Sequence, residues 1–114
     1  MRYALLINER PGAYAGLGAA ERAAITGEYL ALRDDERVTG GERLAPVETA
    51  TTLRAVDGEL LLTDGPFADT KEIFAGFYLL EADDLDRATE IAARIPAVRL
   101  GGSVEIRPIV TDQD

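Results

Sequence analysis

Ala75-Gly76-Phe77-Tyr78-Leu79-Leu80 carries apolar side chains at odd and even positions alike. In an extended strand, alternation sends Phe77 and Leu79 to one side and Tyr78 and Leu80 to the other, so both faces need cover. Residues 2–7, Arg2-Tyr3-Ala4-Leu5-Leu6-Ile7, repeat the pattern, with Tyr3, Leu5 and Ile7 opposed to Ala4 and Leu6. The final strand, residues 103–109, differs: Val104 and Ile106 share one face, while Ser103, Glu105 and Arg107 share the other. Such alternation is what a half-solvated strand shows.

Between these strands the period turns helical. From Ala19 to about Glu36, Ala20, Ala24, Ile25, Tyr29 and Leu32 share a stripe, and Glu21, Glu28 and Asp35 mark the polar side. Gly27 costs this helix about 1 kcal/mol relative to alanine, so it leans on packing. Gly40-Gly41 ends the segment, and a short strand through Glu42-Arg43-Leu44-Ala45 follows. Asp83 or Asp84 caps a second helix that runs through Ile95, with Leu85, Ala88, Ile91, Ala92 and Ile95 on one stripe and Pro96 at its end. Thr51 to Val56 and Glu59 to Thr63 flank Asp57-Gly58, the preferred pair for a two-residue type I′ hairpin turn. That turn opposes Val56 to Glu59, Ala55 to Leu60, Arg54 to Leu61 and Leu53 to Leu62, leaving Leu53, Ala55, Leu60 and Leu62 on one face.

The order is strand, helix, strand with an added hairpin, strand, helix, strand. It predicts an α+β ferredoxin-like sandwich: an antiparallel sheet, two helices on one face, and the first and third main strands at the centre. Residues 1–110 form one domain in this reading, and residues 111–114 a disordered tail. Two helices cover only one face of the sheet. Tyr3, Phe77 and Leu79, or the alternate set Ala4, Leu6, Tyr78 and Leu80, would face water in a monomer. Contiguous apolar surface of this kind marks an interface. A homodimer with two sheets face to face and Phe77 or Tyr78 at its centre solves the problem; the alternative is the hairpin folding over its own sheet.

The whole chain has 114 residues, 46% of them hydrophobic and 29% charged, with a net charge of −9. That balance argues against nucleic acid and anionic membranes as partners. With neither cysteine nor histidine, disulfides, thiol chemistry, a histidine base and the usual zinc sites are excluded. The apolar start turns polar at Asn8-Glu9-Arg10, too soon for a signal peptide, and the expectation is a cytoplasmic protein. Gly16-Leu17-Gly18 is followed by Ala19-Ala20-Glu21, which lacks the third glycine of a dinucleotide fingerprint. Asp34-Asp35-Glu36 and Asp83-Asp84 with Asp86 match no calcium-loop spacing. Neither a metal nor a cofactor is expected.

Asp64-Gly65-Pro66-Phe67 breaks the hairpin strand, and Thr70-Lys71-Glu72 follows closely. Asp64 is the candidate general acid/base, because a carboxylate beside a desolvated cleft has its pKa raised. The structural alternative is that Asp64 bonds the amides of its own turn.

The start of the chain, the step Gly40-Gly41-Glu42-Arg43-Leu44, Thr63-Asp64-Gly65-Pro66-Phe67 with Thr70-Lys71-Glu72, and Gly76-Phe77-Tyr78 together resemble the YCII-related family, in its subgroup named for the Asp-Gly-Pro-Phe motif. The resemblance covers roughly residues 1–109. It implies a dimeric α+β barrel and says less about activity. Some relatives are thought to use a His-Asp pair; this chain has no histidine, so Asp64 would stand alone. Members often lie beside genes for extracytoplasmic-function sigma factors. Three readings follow. The first is a dimer that binds an unidentified small molecule near the Asp64 turn through Arg43, Gly65, Pro66, Phe67, Lys71 and Glu72. The second is an enzyme with Asp64 as acid/base and Lys71 or Arg43 orienting an anionic group. The third is an accessory partner of a sigma factor.

Overall fold

The computed structural model describes residues 1–65 and 71–111. Strand β1 (Arg2–Glu9), helix α1 (Ala19–Arg33), strand β2 (Val38–Arg43), hairpin strands β3 (Thr51–Val56) and β4 (Glu59–Asp64), strand β5 (Ile73–Glu81), helices α2 (Leu85–Ala92) and α3 (Pro96–Arg99) and strand β6 (Ser103–Pro108) follow in that order. The main strands form one antiparallel sheet in the order β2-β5-β1-β6. The expected α+β ferredoxin-like arrangement is present, with β1 and β5 central. None of the described helices is long and apolar enough to cross a membrane.

Register decides what each face holds. Tyr3 pairs with Leu80, Leu5 with Tyr78 and Ile7 with Gly76. Tyr3, Leu5, Ile7, Tyr78 and Leu80 therefore share the face that packs on Leu32, Ala88, Ile91, Ala92, Ile95 and Ala97. The other face carries Ala4 and Leu6 opposite Leu79 and Phe77, and Phe74 opposite Asn8. Both sets expected from sequence are thus corrected. Odd positions of β1 meet even positions of β5, so Tyr78 joins Tyr3 inside and Phe77 joins Leu6 on the open face.

Strand β2 starts earlier than expected and contains Gly40-Gly41 instead of following it. The cause is close approach. A Cβ on Gly41, whose φ is +148°, would run into the Phe77 carbonyl oxygen, and one on Gly76 would lie 2.6 Å from the Glu42 carbonyl oxygen. Here glycine allows a strand where it was expected to end a segment.

Helix α1 stops at Arg33, three residues short of the expected Glu36. The Asp34 amide donates to Ala31 and Leu32, and Asp35 is held in the turn that follows. Ile25 and Leu32 are buried, whereas Ala20 and Ala24 are exposed, so the helix meets the sheet on a rotated stripe. Helix α2 ends at Ala92 instead of Ile95, and Pro96 opens α3, where its missing N–H costs nothing. Asp84 caps α2 by accepting from the Arg87 amide at 2.9 Å, and Leu85 is 54% exposed instead of buried.

The β3–β4 hairpin has the expected register, with Asp57 at φ +50° and Gly58 at φ +82°, as a type I′ turn requires. It does not fold over the main sheet. β3 and β4 form a separate two-stranded ribbon on which Leu53, Leu60 and Leu62 are 57%, 75% and 68% exposed.

Asp35 explains an acidic cluster that had no role in the sequence. Its carboxylate accepts from the Arg37 backbone amide at 3.0 Å and from the Arg37 guanidinium at 2.8 and 3.0 Å, and Arg94 adds a bond at 3.0 Å. These donors, Arg37 foremost, hold the carboxyl well below the usual carboxylate range. The stabilisation is present above about pH 4 and is lost as the pH falls through the depressed folded-state value. Because the guanidiniums are largely solvated, Asp35→Asn should cost on the order of 1 kcal/mol at neutral pH. Melting temperatures of wild type and variant should converge in acid; a constant gap from pH 7 to pH 2 would count against this.

Candidate functional site

A cavity of about 300 Å³ lies between α1 and the end of the sheet. Its apolar wall is built by Ile7, Ile25, Leu30 and Tyr78. Space opens here because β5 carries only Ala75 and Gly76 at this level. The polar groups are the phenols Tyr14 and Tyr29, the guanidiniums Arg22, Arg33 and Arg43, and the carboxylates Glu9 and Glu42.

The glycine-containing loop after β1 is a set of pinned turns. Arg22 of α1 donates to the Tyr14 carbonyl at 2.7 Å and to the Leu17 carbonyl at 3.2 Å. This fixes Tyr14 against the cavity, where its hydroxyl donates to Glu9 Oε2. Burial, reinforced by Glu9, pushes the Tyr14 pKa far up. Burial likewise raises Tyr29 and Tyr78. Tyr78 donates to the Tyr29 carbonyl at 2.8 Å. These phenols remain protonated donors through neutral and mildly alkaline pH.

The Tyr29 hydroxyl is the anomaly. It is shielded from solvent, and among the described residues it has no hydrogen-bond partner. Its neighbours, the Tyr14 hydroxyl and the Ala97 backbone, do not meet it at bonding geometry. A buried orphan hydroxyl costs about 1–3 kcal/mol. The rim is unusual in a second way. Among the described residues, neither Arg33 nor Arg43 forms an ion pair with a carboxylate, and Arg22 is spent on neutral carbonyls. In a chain of net charge −9, three guanidiniums gather beside an apolar wall that also carries the Glu9 and Glu42 carboxylates.

Of the site residues expected from sequence, the structure brings Arg43 to this cavity. Asp64 is the exposed last residue of β4, paired with Thr51. Among the described residues no hydrogen bond or ion pair engages its carboxylate. Gly65 adopts φ +104°, and its amide donates to the Ala50 carbonyl at 2.7 Å. Lys71 is exposed, while Glu72 accepts from the Ser103 hydroxyl at 2.6 Å, tying the start of β5 to β6. Pro66 and Phe67 lie outside the described residues. Sequence reasoning missed Tyr14, Arg22, Thr26, Tyr29 and Arg33 as a group. Their signal was helical: Arg22, Thr26, Tyr29 and Arg33 recur at three- and four-residue spacing on one side of α1.

An antiparallel four-stranded sheet with its helices on one face defines an α+β protein of the fold from which dimeric barrels are built. The YCII-related domain matches residues 1–111, and the chain belongs to that family. An uncharacterized protein of Rhizobium meliloti (strain 1021) is 44% identical over 68 residues, which is 59% of this chain and 55% of the relative. The chain therefore spans about half the length of that relative. Among solved structures, 5-chloro-2-hydroxyhydroquinone dehydrochlorinase from Burkholderia phenoliruptrix, in complex with 2,5-dihydroxybenzoquinone, superimposes with a TM-score of 0.56 at 17% identity. The superposition covers 99% of this chain and 97% of that one, and at this identity it speaks for the fold.

The orphan hydroxyl gives a direct test. Tyr29→Phe removes an unpaired buried dipole and keeps the ring, so stability should stay level or rise by about 1 kcal/mol. Chemical denaturation measures it. A loss above that amount would show that the hydroxyl is engaged in the free protein.

Proposed function

We propose that this protein captures a small, flat organic anion in the cavity between α1 and the sheet and works as a homodimer joined through the open sheet face. The observation that carries the first part is the pair Arg33 and Arg43, which form no ion pair with a carboxylate among the described residues and sit on the rim of a largely apolar cavity in an acidic chain. The Tyr29 hydroxyl supplies a donor that lacks an acceptor. Ile25, Leu30 and Tyr78 suit the body of a ring. The Burkholderia neighbour holds 2,5-dihydroxybenzoquinone, a flat oxygenated ring, and that ligand class fits a cavity of about 300 Å³. The Asp-Gly-Pro-Phe subgroup remains the finer placement within the family, on the motif at residues 64–67.

The same neighbour, a dehydrochlorinase, favours a second reading, that the cavity turns its ligand over. In that case the phenols Tyr14 and Tyr29 are better placed at the cavity than Asp64, which is not among its lining residues.

Calorimetric titration with 2,5-dihydroxybenzoquinone and 2,5-dihydroxybenzoate tests the binding reading. Arg33→Gln and Arg43→Gln should each weaken binding by about tenfold, the loss of one charge-assisted contact worth about 1.4 kcal/mol. Binding untouched by both changes would overturn the site. The dimer has its own test. Phe77→Asp, at the centre of the open face, should convert a dimer to monomer or insoluble protein by light scattering at micromolar concentration, and a monomeric wild type would defeat this reading.

A further inference from the structure

The β3–β4 hairpin carries an apolar face that stays exposed among the described residues. Leu53, Ala55, Leu60 and Leu62 share one face by register, and the three leucines are more than half exposed. Six residues per strand carry the ribbon roughly 20 Å from its root. The radius of gyration, 16.2 Å, exceeds the about 13 Å of a compact chain of this length. This is an arm.

A matching receptor lies on the same chain. A groove of about 590 Å³ runs beside β5; Leu44, Ala45, Pro46, Val47 and Phe74, all but Val47 exposed, form its apolar part, and Glu48 lies among the charged residues that line it. Leu53, Leu60 and Leu62 are not among the residues that line this groove, and their exposure shows that the arm leaves it unfilled within one chain. A second copy brings an equivalent groove that its partner's tip can reach, and twofold symmetry makes the exchange reciprocal.

We infer that the arm crosses to a second copy of this chain and seats Leu60 and Leu62 in the partner's groove. The inference rests on the homodimer reading above and supplies what that reading lacks. A stable dimer buries about 800 Å² on each partner. On the open face, Ala4, Leu6, Phe77 and Leu79 are already partly shielded, and only Phe74 is half exposed. That face alone contributes a fraction of the required area, and the arm adds three well-exposed leucines. Two copies that each carry −9 repel one another, so they must meet where charge is sparse, as it is on this face of the arm. The groove also shares Glu9, Tyr14, Arg43 and Ala75 with the ligand cavity, so a seated arm borders the cavity mouth.

The test is Leu60→Asp combined with Leu62→Asp in the full chain, read by light scattering at micromolar concentration beside far-ultraviolet circular dichroism. Both positions are exposed in the single chain, so the main sheet should form, and the dimer should shift to monomer. A variant that stays dimeric overturns the arm. If Phe77→Asp is monomeric in the same assay, the open-face dimer survives while the arm proposal fails. Trypsin gives a reading without mutation. Cleavage after Arg54 should slow as wild-type concentration rises through the dimer transition; a rate independent of concentration overturns the proposal. So does a wild type that stays monomeric until another protein or a lipid vesicle is added.

Discussion

The pairing of β1 with β5 is the constraint on which the other elements depend. Once Tyr3 lies opposite Leu80, parity sends Leu5, Ile7 and Tyr78 under the helices and Leu6, Phe77 and Leu79 to the open face. The pairing slips by one residue after Ile7, which sets Asn8 against Phe74 and Glu9 against Ile73. Close to this irregularity the sheet carries glycine and alanine instead of bulky residues. The cavity lies over Ala75 and Gly76, and the helix above fills only part of it, with Tyr29 and Ile25. Core and cavity are thus two outcomes of one register.

Electrostatics follow the same division. In the turn between α1 and β2, Asp35 holds Arg37 and also Arg94, which follows α2, so one carboxylate ties that turn to the end of α2. Arg33 and Arg43, which form no ion pair with a carboxylate among the described residues, sit at the cavity rim.

Local signals in the sequence proved legible. Asp57-Gly58 specified the hairpin register residue by residue, because a type I′ turn leaves no freedom in pairing. The doubly apolar strands marked the centre of the sheet. Nonlocal geometry was less accessible. Gly40-Gly41 read as punctuation, since nothing in the sequence tells a glycine that ends an element from one that admits a neighbouring backbone. Of the candidate site only Arg43 was legible. Arg22, Thr26 and Arg33 carried no signal of their own in the sequence beyond helical spacing, and only the rotation of α1 over the small residues of β5 turns them toward a shared space. Asp64, conspicuous in its motif, stands on the arm's root and outside that lining.

The central place of β1 also governs the order in which the molecule can form. Arg2 pairs with Glu81 and Tyr3 with Pro108, so β1 has no sheet partner until β5, far along the chain, has been made. Before that, the one ladder available is the local β3–β4 ribbon, closed by its two-residue turn. Sheets built from such distant pairings close slowly, since the entropy of a long loop is lost before any contact rewards it. During synthesis on the ribosome, β1 therefore waits as an unpaired apolar segment, exposed to premature association until β5 and β6 emerge.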